Sequence, residues 1–407
     1  MGALTGVRVL DLSRVLAGPW CSQVLADLGA DVVKVERTGR GDDTRAWGPP
    51  YMKNVEGNDT QETSYYQSSN RNKRSVAVDI ATEKGQEIVR ALAAESDVLI
   101  ENFKAGSLKK YGLDYESLSN VNPRLIYCSI TGFGQTGPRA QEPGYDFIVQ
   151  GMGGLMSITG ERDGVQGGGP QKVGVAVTDV MTGLYSVIAI QAALLAREKT
   201  GRGQHCDMAL LDVQVAALGN QSQNYLSTGK APGRYGNAHA NIVPYNSFRA
   251  SDKDFIIACG NDAQFAALCN AIALPELAAD PLFSTNENRV RNRDTITQIL
   301  SDHFKNDTAQ AWVSRISKAK VPVGLINNIA DALAEPQVEA RGMLVNIPHP
   351  MNPDFKMVGS PLHLSDTPVE YKRAAPLLGQ DTNDVLIEYL GLSPEQLSRL
   401  KSDDVVG

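Results

Sequence analysis

The chain has 407 residues, 42% of them hydrophobic and 21% charged, with a formal net charge of −7. That length exceeds one ordinary hydrophobic core and predicts two or three domains of a soluble globular protein. The acidic balance argues against a nucleic-acid coat, the N-terminus lacks the basic-then-apolar pattern of a secretory signal, and the apolar run Leu184–Leu195 is too short to span a bilayer. Five cysteines without CxxC pairing and five histidines without metal spacing predict reduced thiols, a cytoplasmic protein and no metal site.

In chain order, Val7–Leu12 reads as a strand, SRVLAGP as a loop, Trp20–Leu28 as a helix with Pro19 in its first turn, and Ala30–Glu36 as the next strand. This is a strand–helix–strand unit of the size of a parallel crossover. Its loop lacks GxGxxG, which disfavours a nicotinamide or flavin site. Polar residues from Gly39 to Thr63 predict a long loop. Strands follow at Ser75–Ile80, Asp97–Glu101 and Arg124–Ile130, with helices at Thr82–Ser96 and Tyr111–Leu118 between them. The alternation predicts an α/β fold with a mostly parallel sheet, whose ligands bind beyond the carboxyl ends of the strands. Thr131–Gly169 is glycine-rich and reads as flexible turns at a ligand site.

A short apolar run, Val173–Val177, reads as a strand that gives way to a helix from Val180 to about Lys199, closed by Gly201 and Gly203. Asp179 then sits at a strand-to-helix corner, where an N-cap is the ordinary role for aspartate. A strand at Gln204–Met208 and a long helical run at Leu210–Leu226 come next, followed by a linker. Beyond it, Phe248–Cys259 reads as a hairpin turning at Ser251–Asp254. Helices at Gln264–Ala273 and Thr308–Lys320 and a strand at Val321–Asn327 complete a smaller α/β domain. The expected boundaries are 1–228 for the first part of a large domain, 229–323 for the small domain, and 324–407 for a return linker and the rest of the large one.

VRVLDLSRVLAGPWCSQVLADLGADVVKVER, NRNKRSVAVDI, VLIENFKAGSLKKYGLDY, PGYDFIVQGMGGLMSITG, VTDVMTGLYSVIAIQAALLAREKTGRGQHCDMALLD and RAAPLLGQDTNDVL occur in that order. Together they closely resemble the class III CoA-transferases, the formyl-CoA transferase and carnitine CoA-transferase family. The resemblance implies a large Rossmann-like domain built from both chain ends, a small domain between them, and an interlocked homodimer. It implies coenzyme A and acyl-CoA as substrates, with no permanently bound cofactor. It also makes Asp179 the nucleophile, forming first an acyl anhydride and then an aspartyl-CoA thioester. Such intermediates require a pocket closed to water.

The positions matching the family's CoA contacts are Val15, Leu16, Arg37, Val78, Asn102, Phe103, Lys110, Tyr145 and Asp146. Arg37 and Lys110 suit phosphate by charge, although Lys110 replaces an arginine of formyl-CoA transferase and Leu16 a glutamine. The GGGGQ loop of that enzyme is absent here. GNAHANIVPY at 236–245 and FSTNENRVRNRD at 283–294 instead resemble the succinyl-CoA:glutarate and related dicarboxylate branch. His239, Asn241 and Arg71 are candidates for the distal carboxylate of such an acid, beside ordinary structural roles for each. Two rivals stand. An α-methylacyl-CoA racemase would carry histidine where this chain has Tyr145, and a tyrosine with a pKa of about 10 is a poor base at neutral pH. A non-catalytic acyl-CoA binder would have no reason to place Asp179 beside a thioester.

Overall fold

The computed structural model describes residues 1–407. Contacts divide the chain into two compact units. One comprises residues 1–155, 173–223 and 339–407, and the other 156–172 with 224–338. The small unit therefore extends past the expected 229–323 at both ends and recruits a glycine-rich segment from far upstream. Side-chain contacts explain the recruitment. Arg234 pairs with Asp163 and donates to the carbonyls of Ser157 and Glu161, while the Gly236 amide donates to the Gly160 carbonyl.

The large unit opens with β1 (Arg8–Asp11), α1 (Ala17–Asp27) and β2 (Asp31–Glu36). The expected loop at 39–63 contains an antiparallel hairpin, β3 (Tyr51–Lys53) and β4 (Asp59–Thr63), and runs into α2 (Ser64–Ser68). Next come β5 (Lys73–Ala77), α3 (Glu83–Ala94), β6 (Val98–Glu101), α4 (Tyr115–Val121) and β7 (Ile126–Thr131). Helices α5 (Asp146–Met152) and α7 (Val177–Thr200) precede β8 (His205–Ala209) and α8 (Leu210–Ala216), while α6 (Leu155–Ile158), between α5 and α7 in the chain, falls almost wholly in the small unit.

Six strands form one parallel sheet in the order β5-β2-β1-β6-β7-β8. This is the doubly wound arrangement, and the order reverses between β1 and β6, where a crevice opens at the carboxyl ends. Both faces are covered, so strand residues point alternately into two apolar clusters. Leu10, Val33, Val76 and Leu99 pack with Val385, Leu386 and Leu397 near the chain's end. Val9, Val32, Val98 and Ile126 pack with α1 and α7. The C-terminal segment is stitched to the sheet edge, where the Asp381 carboxylate accepts from the Ser75 amide at 2.9 Å and Val406 bridges Val78.

Helix α7 differs from expectation. Val173–Val177 is not a strand, and the helix begins at Val177, so Asp179 lies inside its first turn. By length and hydropathy alone this 24-residue helix could cross a membrane. Here its buried face packs on α1, β7 and β8. Gly183 makes the α1 contact possible, since a Cβ there would meet the Ala17 carbonyl oxygen at 2.7 Å.

The small unit carries an antiparallel sheet ordered β11-β10-β9, with β9 (Tyr245–Arg249), β10 (Asp254–Ala258) and β11 (Val323–Leu325). Its core joins Phe248, Phe255, Phe304 and Trp312 in edge-to-face contacts at 5.1–5.2 Å.

Candidate active site

The loop after β1 stands where a dinucleotide-binding fold would carry its glycine-rich turn. Here Val15 adopts φ 70°, a left-handed conformation that costs a β-branched residue on the order of 1–3 kcal/mol. Two clamps hold it. The Asp42 carboxylate accepts from the Val15 amide at 3.2 Å through both oxygens. The Asn102 amide accepts from the Arg14 N–H at 2.8 Å and donates to the Arg14 carbonyl at 2.6 Å.

Behind this loop lies a fully buried set of paired charges. The Lys73 ammonium is 3.3 Å from Asp11, and that of Lys34 is 3.0 Å from Asp42. Burial opposes ionisation of Asp11, but Lys73, Lys34, Ser13 and Ser22 outweigh it and leave the carboxyl below its ordinary value. Burial likewise draws Lys73 down to about 8 despite the pull of Asp11. Glu36 is held ionised against burial by a two-pronged contact from Arg45 at 2.8 Å.

Two cavities open at the sheet's reversal point. The larger, about 480 Å³, is lined by Arg37, Arg40, Val78, Phe103 and Lys110. The smaller, about 220 Å³, is lined by Val15, Leu16, Asn102, Phe103, Tyr145 and Asp179. Arg14, Asp43 and Phe103 belong to both. One wall of the smaller cavity is a tight crossing at Gly132 and Gly144, where a Cβ on Gly132 would lie 2.5 Å from the Gly144 Cα.

Asp179 is the third residue of α7, and no side chain of the helix's own N-terminal residue caps it. Asp146, the first residue of α5, takes that task from outside. Its Oδ1 accepts from the Thr178 amide at 2.8 Å and more weakly from the Asp179 amide at 3.4 Å, while its Oδ2 accepts from Gln150 at 2.6 Å. The Gln150 side-chain oxygen Oε1 accepts from the Val173 amide, and the Thr178 hydroxyl donates to Gln214 at 2.6 Å. The first turn of a helix normally favours a carboxylate. Burial, then the neighbouring Asp146 charge, instead push the Asp179 carboxyl up to about 7.

The structure thus brings together most of the residues expected at the site. Val15, Leu16, Asn102, Phe103, Tyr145 and Asp179 share the smaller cavity, and Arg37, Val78, Phe103 and Lys110 the larger. Asp146 lines neither; its carboxylate is committed to the start of α7. Arg71 is a correction. It is 5% exposed, forms a two-pronged pair with Asp27 at 2.5 and 2.9 Å, and donates to the Val358 carbonyl. A guanidinium so engaged has no free fork for a substrate.

His239 and Asn241 lie in the small unit. The two segments that carry the branch resemblance meet there. Arg293 donates to the carbonyls of His239 and Ala240 at 2.9 and 2.7 Å, and Asn286 donates to the Asn241 carbonyl and accepts from the Val243 amide. The Asn241 amide donates to His239 Nδ1 at 3.0 Å, so a neutral His239 carries its proton on Nε2.

Several residues around the cavities stand outside the expected contact set. Tyr65 packs edge-on against Trp47 at 5.2 Å; burial and the charges of Asp179, Asp146 and Asp42 raise its phenol above the ordinary value. Glu101 accepts from the Phe103 amide at 2.8 Å, and burial pushes it up to about 7. Asp42, Lys34 and Lys73 anchor the strained loop. For Lys34 a signal existed, since a lysine inside DVVKVE must point into a sheet covered on both faces.

The profile of CoA-transferase family III matches residues 4–382. A succinate–glutarate CoA-transferase of Agrobacterium fabrum is 50% identical over 385 residues, 95% of each chain. The succinyl-CoA:glutarate CoA-transferase of Homo sapiens is 43% identical, covering 99% of this chain and 90% of the human one. The crystal structure of a CAIB/BAIF family protein from Brucella suis superposes with a TM-score of 0.84 at 50% identity, over 95% of this chain and 99% of that one. Alike across nearly its whole length to named transferases, the chain belongs to CoA-transferase family III and is a CoA-transferase.

Proposed function

We propose that this enzyme moves coenzyme A from succinyl-CoA to glutarate or a similar C4–C6 dicarboxylate, with Asp179 as nucleophile. The observation that carries the reading is the Asp179 carboxylate in a small cavity beside a larger one rimmed by Arg37, Arg40 and Lys110. Relatives that share 43–50% identity and carry succinate–glutarate names support the choice of acids. In this scheme an Asp179 oxygen attacks the thioester carbonyl, the C–S bond breaks, and CoA leaves as thiolate. The thiolate attacks the aspartyl carbonyl of the anhydride, releases succinate and leaves aspartyl-CoA. A glutarate oxygen then attacks that thioester to form a second anhydride, and the thiolate takes the glutaryl group, freeing Asp179. Once Asp179 is ionised, every nucleophile and leaving group is an anion, so the steps of the cycle require no further proton transfer.

Donors for the 3′-phosphate and pyrophosphate of CoA are Arg37 and Lys110, while Val15, Leu16, Asn102, Phe103 and Tyr145 shape the path toward Asp179. His239, through Nε2–H, and Asn241 remain our candidates for the distal carboxylate. A homodimer is part of the reading. Tyr145, Phe147, Ile148 and Met152 of α5 and its N-terminal flank, with Leu184, Tyr185 and Ile188 of α7, are each 43–66% exposed, an apolar surface that a second copy would cover.

The test is an acceptor series at fixed succinyl-CoA. A pocket that pairs a remote carboxylate rejects a monocarboxylate of equal length, because its own polar groups are left unpaired. Glutarate should exceed butyrate and valerate by roughly tenfold or more in kcat/KM, with formate and oxalate poor. Butyrate equal to glutarate, or oxalate above both, would overturn the dicarboxylate assignment while leaving CoA transfer intact.

A further inference from the structure

We propose that Asp146 is the positioning residue for Asp179, holding the first turn of α7 through the Thr178 and Asp179 amides and setting a second negative charge behind the nucleophile. The proposal rests on the reading of Asp179 as nucleophile, and it gives Asp146 a role other than contact with CoA.

Three observations carry it. The first turn of α7 is unusually dependent on outside help, because Ala176, which precedes it, has no capping side chain. One Asp146 oxygen serves two successive amides of that turn, at 2.8 and 3.4 Å. Its other oxygen is held by Gln150 one turn along α5, and Gln150 in turn accepts from the Val173 amide on the approach to α7. Asp146 is 9% exposed and lines neither cavity, so it is placed to act through Asp179 rather than on the substrate.

Charge makes the role more than mechanical. An asparagine or serine would cap the amides as well, yet an aspartate stands here. Its charge adds to burial in raising Asp179 above an ordinary carboxyl. Other titratable groups around the pair are Tyr65 on α2, Tyr145 beside Asp146, and Arg14, Asp43, Lys104 and Glu142 on the cavity wall. A more basic carboxylate is a stronger nucleophile toward the thioester. The same charge narrows the pH range, since the group must shed its proton before it can attack.

The experiment uses the full-length enzyme and compares Asp146→Asn, Asp146→Ser and Asp146→Glu with the parent, following succinyl-CoA-dependent transfer against pH. The neutral variants keep a cap and lose the charge. Their acidic limb of kcat/KM should move down by about half a pH unit or more, with kcat at pH 8 lowered by on the order of tenfold. The Michaelis constants for acyl-CoA and free CoA should stay within about threefold of the parent. An acidic limb that does not move in a folded neutral variant overturns the proposal, as does a tenfold rise in the constant for CoA. If neither neutral variant folds, Asp146→Glu decides. Retained charge must leave the limb in place while kcat falls, and a shifted limb overturns the idea. Asp179→Asn separates this from the underlying reading, because substantial turnover there removes Asp179 as nucleophile whatever Asp146 does.

Discussion

The two cavities at the sheet's reversal point handle buried charge in opposite ways. Behind the larger one every buried ion has a partner: Asp11 with Lys73, Lys34 with Asp42, Glu36 with Arg45. Such pairs stabilise little in themselves, because desolvation offsets much of the attraction. Their effect is to fix the loop that carries Val15 and Leu16 and leave Arg37, Arg40 and Lys110 facing the cavity. In the smaller cavity no cation offsets the burial of Asp179. The charge that acts on it is another carboxylate, Asp146, and the result is a carboxyl pushed up to about 7. Paired charge holds the wall of one cavity, and in the other a carboxyl without a balancing cation is raised, as groups tuned for chemistry are.

Asp179→Ala should have the greatest effect. With the proposed nucleophile removed, transfer should fall by roughly a thousandfold or more while CoA still binds. Steady-state transfer and CoA binding by calorimetry check both halves. A variant with substantial turnover would mean that the smaller cavity is not where the acyl group is held.

Arg37→Ala attacks the other cavity. Loss of a charge-assisted contact to phosphate is worth about 1.5–3 kcal/mol, which predicts a ten- to hundredfold rise in the Michaelis constants for acyl-CoA and CoA. The constant for the acceptor acid should hardly change. Unaltered CoA affinity in the folded variant would take Arg37 out of the site.

The smallest effect has the most telling sign. The Asp179 carboxyl is raised from 3.8 to about 7 by burial and then Asp146, so between those values the folded chain binds its proton more tightly than the unfolded chain. Stability from this group is therefore full at low pH and falls as pH rises through the window, with the penalty complete above about 7. Asp179→Asn escapes that penalty. It should be more stable than the parent at pH 8 by about 1 kcal/mol, after allowance for solvent screening of the half-buried carboxylate. The gain should vanish near pH 4. Urea titrations at the two pH values measure it, and a variant less stable at pH 8 would show that Asp179 is not strained by its surroundings.

Sequence alone was enough for the alternation of strands and helices, the parallel sheet and the hairpin near Phe248. Periodicity and end signals are local, so they survive without knowledge of the fold. The ordered motifs carried the family, and with it most residues that line the two cavities. Other matters depended on what lies opposite in space. Val173–Val177 looks like a strand, yet it leads into a helix whose cap, Asp146, stands more than thirty positions earlier. Arg71 has the charge for a substrate carboxylate, but Asp27 holds it. The segment 156–172 joins the small unit because Arg234 reaches back to it. Composition cannot say whether a lysine in a strand faces water or Asp42, nor whether an aspartate meets a cation or another aspartate. Those pairings are long-range, and on them rest both the held conformation of the Val15 loop and the raised carboxyl of Asp179. They were decided only when the chain closed on itself.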